Sequence, residues 1–404
     1  MPVRSTLRRK IATILGVLSL AGGALVTVPS AAQAAGDAPV EIRRLVPAGA
    51  DHAAVLQSNV NYWNVARIAE WGLNAGGADA YAPPGGWDDL SKPWVGPGAI
   101  SRTAGKMLMQ YRNTWNGAIT HSACSANVIK AANQSTIVTA GHCVKIMGQM
   151  TGQVWGDSVV VNAVFIPGFN GAAVPRNTPG TDPTTAPLPG ADIAPYGVWG
   201  LTRVWATPTW DADSTFRSGG DVAMATVERP GDPTPIQQVV GGQDIAFGVE
   251  AHPLTLHQFG YPVDNGRNWY WTKNNDGTYG HDYGVDPSLW RGFDGRSLMY
   301  ARGSTIPDAT LGTLGHDMPS AMAPGSSGGP WLMNFDSATG TGTQVAVTSR
   351  FTNSSGNSPW WDAIWGQVPA GSSNPNWAFG PYSVGNGFGA LTQAMYNVVQ
   401  NATP

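Results

Sequence analysis

The sequence predicts an all-β fold, and three observations carry that expectation. Strand-like runs are short and closely spaced from residue 105 onward. Turn formers separate them, with 52 Gly and 31 Pro in a chain of 404 residues. Charged residues make up only 12% of the chain, low for a disordered or highly solvated helical protein. The runs fall at 106–111, 126–129, 135–139, 158–165, 221–227, 331–333 and 345–349. Many short strands at such spacing indicate a sandwich or a barrel. One helical pattern stands at the end, over 389–400, with Leu391, Met395, Val398 and Val399 as its apolar positions.

Residues 1–34 read as a signal peptide rather than as part of the fold. Arg4, Arg8, Arg9 and Lys10 form a basic start, an apolar stretch follows, and Ala32-Gln-Ala34 supplies a small-x-small cleavage pattern. The protein is therefore expected outside the cell. The whole chain has a formal net charge of −3, and loss of this basic leader makes the remainder more acidic. There is no basic run, heptad or later apolar span, so neither nucleic acid nor a membrane is expected as a partner. A monomer is expected. Residues 35–104 are rich in Ala, Gly and Pro, with one helical pattern over 55–73, and read as a pro-segment or N-terminal extension. The β-rich part is then 105–404, divided near 245. The 17 Trp read as packing in a core rather than as a sugar-binding surface. Cys124 and Cys143, in an oxidising compartment, read as a disulfide rather than as thiols or metal ligands. No metal and no cofactor is expected.

Three segments carry chemistry. In 137–143, Ile-Val-Thr-Ala-Gly-His-Cys, a β-rich run ends in a turn that presents His142, the placement a general base needs. In 325–330, Gly-Ser-Ser-Gly-Gly-Pro, glycines allow a tight turn. Ser327 would be the nucleophile there, and the N–H groups of Gly325 and Ser327 an oxyanion hole. The same segment fits the nucleophile elbow of α/β-hydrolases, but those run Ser, acid, His, and here the His comes first. The acid that orients the imidazole has two candidates. Asp192 begins a run broken by Pro195 and Gly197, whereas Asp221 opens an unbroken strand pattern over 221–227. A buried strand holds a carboxylate more firmly than a loop, which favours Asp221.

From about residue 105 the chain resembles the chymotrypsin-like serine peptidases, within them the bacterial secreted branch that includes the glutamyl endopeptidases. The carriers are Gly105-Lys-Met-Leu-Met, the His142 segment with Cys124-Ser-Ala, Phe165-Ile-Pro-Gly-Phe, Pro195-Tyr-Gly-Val-Trp, Gly260-Tyr-Pro and Asp317-Met-Pro-Ser leading to Ser327. The resemblance implies two six-stranded antiparallel β-barrels with the active site between them, and a Cys124–Cys143 disulfide. It also implies a His142, Asp221, Ser327 triad, with 172–193 as an insertion. Its specificity pocket would include Thr348, Ser349 and Arg350. Thr348 stands where glutamyl endopeptidases carry a His, so Glu specificity is not implied. Arg350 reads as a solvated edge residue, and a small or apolar substrate side chain is the default. Ser326 stands where many animal members carry the Asp of an activating ion pair. The expected function is a secreted serine endopeptidase acting on protein or peptide substrates. A secreted binding protein on the same scaffold, or an esterase with the same triad, are the competing readings. The segment 263–311, rich in Trp, Tyr, Asp and Gly, has no assigned role.

Overall fold

A computed structural model describes residues 38–49, 51–73, 91–147, 156–175, 184–214, 220–264, 272–273, 279–280, 293–308, 311–320, 322, 324–352 and 382–404. The leader reading of 1–34, and most of 263–292, lie outside these residues.

The first half is a closed barrel. Its six strands are β3 (Ala104–Asn113), β4 (Ile119–Val128), β5 (Thr136–Thr139), β7 (Asp157–Pro167), β8 (Trp199–Ala206) and β9 (Ala223–Glu228). They join in the order β8-β9-β5-β4-β3-β7, and β7 closes the ring on β8. The edge strands β1 (Val40–Arg44) and β6 (Lys145–Met147) extend the same sheet.

The strand β3 shows why these runs are apolar on both faces. Met107, Met109 and Tyr111 point into the barrel core, while Ala104 and Leu108 face a second cluster outside it. That outer cluster is filled by the N-terminal extension. Its single expected helix is two, α1 (His52–Tyr62) and α2 (Val65–Gly72), separated at Trp63 and Asn64. The Asn64 side chain accepts the Arg67 N–H at 3.1 Å and so caps α2. Trp63 and Ile68 are fully buried against Leu108, Val164 and Ile166. His121 of β4 meets this layer as well, accepting or donating at 2.7 Å with the Tyr62 hydroxyl and stacking on Trp71.

The second half is a curled sheet that stays open among the described residues. Its main strands are β11 (Thr255–Gly260), β16 (Met299–Ser304), β17 (Ile306–Asp308), β18 (Gly312–Pro319), β19 (Pro330–Asp336), β20 (Thr341–Thr352) and β21 (Tyr382–Gly387). The order is β17-β18-β21-β20-β19-β11-β16-β2, where β2 (Lys92–Pro93) comes from the N-terminal extension. The strand β10 (Asp244–Ile245) pairs in parallel with β20. Two further two-stranded ribbons pair β12 (Val263–Asp264) with β15 (Phe293–Asp294), and β13 (Thr272–Lys273) with β14 (Tyr279–Gly280). The C-terminal helix, Ala390–Val399, returns to the first barrel, where Met395 and Val399 join its core. Short helices at Ile100–Thr103, Pro208–Ala212 and Ile236–Val240 had no sequence expectation.

Two expectations need correction. Arg350 is not a solvated edge residue: it is 7% exposed and its guanidinium donates to Asp308 at 2.7 Å. Asp308 belongs to β17, which continues the same sheet beyond β18 and β21, a neighbour that the sequence of β20 alone cannot reveal. Asp221 does not open a strand; β9 starts at Ala223, and Asp221 stands in the lead-in.

Candidate active site

His142 sits on a single short turn, Gly141–Cys143, directly after β5. A Cβ on Gly141 would come within 2.7 Å of the Trp210 ring, so glycine lets the turn rest on that indole. Trp210 belongs to the helix Pro208–Ala212 and donates from Nε1 to the Lys145 carbonyl at 2.8 Å. Its ring lies 6.4 Å from that of His142. The turn is pinned on its other side by the disulfide Cys143–Cys124, with Cα atoms 6.3 Å apart. The Tyr111 hydroxyl adds a hydrogen bond to the Cys143 carbonyl at 3.0 Å.

Asp221 is 1% exposed and accepts three hydrogen bonds. The His142 backbone N–H donates to Oδ1 at 2.8 Å, the His142 Nδ1–H to Oδ2 at 2.9 Å, and the Ser349 hydroxyl to Oδ2 at 2.6 Å. A buried carboxylate is tolerable when its lone pairs are so filled. With the Nδ1 proton facing Asp221, Nε2 is the nitrogen left to accept a proton. A bulge in β20 between Thr348 and Arg350 puts Ser349 in position for this contact. Asp192, by contrast, is exposed, and its carbonyl accepts from Asn170. The structure brings Asp221 to His142 and leaves Asp192 elsewhere. Asp211 pairs with Lys145 at 2.9 Å.

Ser327 lies on a loop held at every step. The Pro324 carbonyl accepts from the Val263 N–H at 2.6 Å. Because N–H and C=O are antiparallel in a trans peptide, this aims the Gly325 N–H away from Val263. The Gly325 carbonyl accepts from the Ser125 hydroxyl at 2.8 Å, and the Ser327 carbonyl from the Ser125 N–H at 2.7 Å. Gly328 has φ +78°, and a Cβ there would run into Thr139 Oγ1 and the Ser125 carbonyl. The residue after Ser327 is therefore packed on the end of the strand that leads to His142. Ser326 is fully buried, whereas Ser327 is half-buried.

The side chains expected around the specificity pocket are engaged internally. Thr348 Oγ1 accepts from Gln258 Nε2 and from Trp331 Nε1, each at 2.9 Å. Ser349 serves Asp221, and Arg350 serves Asp308. Asp317 lies in the same register row as Arg350 through Val384. Burial, reinforced by the nearby Asp308 charge and only partly offset by Arg350, pushes its carboxyl up to about 8. Among the described residues the one grouping of three metal-ligand types is Cys124, His142 and Cys143. Its two sulfurs are joined as a disulfide and offer no thiolate.

Ser125 and Trp210 carried no sequence expectation as parts of the site. Their contacts to it run between segments far apart in the chain. Only Thr207-Pro208, a cap followed by proline at a helix start, was a usable signal, and it points to the helix of Trp210.

No protein-family profile matches the chain, and no curated protein matches it. Solved structures similar to it include the protease Anisep from Arthrobacter nicotinovorans, at 22% identity and TM-score 0.48, covering 78% of this chain and 100% of that one. A thermostable serine protease, AL20, from an extremophilic microorganism is 23% identical at TM-score 0.46, covering 76% of this chain and 100% of that one. A Glu endopeptidase in complex with MPD is 16% identical at TM-score 0.44, covering 78% of this chain and 98% of that one. One closed six-stranded barrel, one curled half-barrel sheet and a C-terminal helix give the chain the chymotrypsin-like fold.

Proposed function

We propose that this protein is a secreted serine endopeptidase in which His142, Asp221 and Ser327 act as a triad. The observation that carries the reading is the pair of contacts from His142 to the buried Asp221. Ser327 Oγ attacks the scissile carbonyl carbon and its proton passes to His142 Nε2. The oxyanion that forms is met by the N–H groups of Gly325 and Ser327. The C–N bond then breaks as His142 Nε2 gives its proton to the leaving amine. Water, deprotonated by the same nitrogen, attacks the acyl-enzyme; the ester C–O bond then breaks as that proton passes to Ser327 Oγ, which frees the serine. Throughout, the Asp221 carboxylate holds the Nδ1 proton and steadies the imidazolium.

Residues 1–34 would direct export, and no helix among the described residues is long and apolar enough to cross a membrane. The preferred substrate side chain is small or apolar. Supporting this, the Thr348 hydroxyl and the Arg350 guanidinium are both committed to internal partners. An acidic side chain would have to compete with Asp308 for Arg350.

A fluorophosphonate should label Ser327 in the secreted protein, and Ser327→Ala should abolish both labelling and casein hydrolysis. Folded protein that takes no label would sink the reading. Label with ester turnover but no peptide turnover would make it an esterase.

A further inference from the structure

We propose that Ser125 is a positioning residue for this reaction, fixing the oxyanion-hole loop to the strand that leads to the general base. The inference rests on the endopeptidase reading above.

All the hydrogen-bonding groups of Ser125 are used, and each joins a different part of the site. Its N–H donates to the Ser327 carbonyl at 2.7 Å. Its carbonyl accepts from Thr139 Oγ1 at 2.9 Å, at the end of the strand before His142. Its hydroxyl donates to the Gly325 carbonyl at 2.8 Å and accepts the Tyr261 N–H, also at 2.8 Å. The preceding residue, Cys124, is tied to Cys143 beside His142. Ser125 is 1% exposed, so water does not compete for these groups.

The hydroxyl matters because of which peptide it holds. The 325–326 peptide lies between the two proposed oxyanion donors, and its tilt sets the angle between them. Gly325 has φ +89° and no Cβ to restrict that tilt. The Pro324 carbonyl is fixed by Val263 on one side, and the Gly325 carbonyl is fixed by the Ser125 hydroxyl on the other. Deleting the hydroxyl leaves a buried N–H and a buried C=O unpaired. Rotation of the 325–326 peptide relieves this and spoils the donor pair. Substrate binding in the ground state does not need that pair, whereas the oxyanion does.

The test compares Ser125→Ala, Ser125→Gly and Ser125→Thr with the native enzyme. Rates are counted per site that a fluorophosphonate labels at completion. Ala and Gly should lower kcat about ten- to hundredfold, the scale of a misplaced catalytic group, with KM within about twofold. Binding of a peptide aldehyde, whose adduct carries the oxyanion, should weaken by the same factor. Thr, which keeps the hydroxyl, should recover most of the rate. Gly keeps the backbone bonds and adds no bulk, so it serves if the Ala variant does not fold. Unchanged kcat per labelled site in Ala and Gly, or a rise in KM alone, would overturn the proposal. A native enzyme that takes no label overturns the endopeptidase reading and this inference together; a labelled native enzyme with unaffected variants overturns this inference alone.

Discussion

Asp221 accepts from the His142 backbone, the His142 ring and Ser349, so one buried carboxylate ties the turn after β5 to the strand β20 of the other half. Asp221→Asn would turn an N–H toward one of these donors and disturb the imidazole tautomer. Turnover should fall about ten-thousandfold, as for such a change in a Ser-His-Asp triad, while Asp192→Asn should leave it unchanged. Steady-state kinetics on a peptide amide checks both. Asp317 gives a second prediction, in stability. The folded state keeps its proton up to about pH 8, whereas an unfolded Asp releases it near 4. The folded state therefore binds more protons across that interval, and this contribution to stability is lost as pH rises from about 4 to about 8. Asp317→Asn removes the loss, so its melting temperature should gain on that of the native protein between pH 5 and pH 8.5. Equal pH slopes in thermal scans would contradict this. The turns that present His142 and Ser327 were legible because each is a short motif with its own turn chemistry. Asp221 was favoured on a strand argument; its carboxylate stands just ahead of the strand, and its donors His142 and Ser349 are far away in sequence.

At the scale of elements, the N-terminal extension is a layer of the fold. The helices α1 and α2 cover the outer face of β3 and β7, and Trp63 is fully buried there. Trp63→Ala should cost about 3–5 kcal/mol by the usual cavity and transfer terms, read as a lower denaturant midpoint with the same slope. Retention of full stability would mean the layer is a removable pro-segment. The apolar strands were readable because both of their faces are covered. The first half of β4 was not, since Ile119–Ser122 is at most partly buried and carries no apolar period. The split of the 55–73 pattern was hidden because Asn64 caps α2 in the middle of a run whose apolar residues continue on both sides.

At the scale of the molecule, the two halves are joined by buried polar groups as well as by the site. Asn127 of β4 donates to Gln344 of β20 at 2.8 Å. Lys106 of β3 is fully buried and reaches the Gly295 carbonyl at 3.0 Å. Burial pushes its ammonium down to about 7, with Asp294 opposing and Arg296 adding to the shift. An unfolded Lys keeps its proton to about 10.4. The unfolded state thus binds more protons between about pH 7 and pH 10, and this group makes stability rise with pH there. Lys106→Met should flatten that rise in thermal scans, and an unchanged slope would contradict it. None of these links could be read from sequence, because each depends on how the halves face one another.

The strand β2, late in the N-terminal extension, lies in the second sheet although the chain next builds the first barrel, and the C-terminal helix lies on the first barrel although the chain has just completed the second sheet. The segments that flank the two halves are thus each laced into the half that they do not adjoin in sequence. If the protein is the secreted endopeptidase proposed above, it lives among copies of itself, and any locally opened segment is a substrate for its neighbours. Wide opening of either half would dislodge elements of the other, so cleavage within the two sheets would await global unfolding. The lifetime of such a protease among its own copies would then track its global stability.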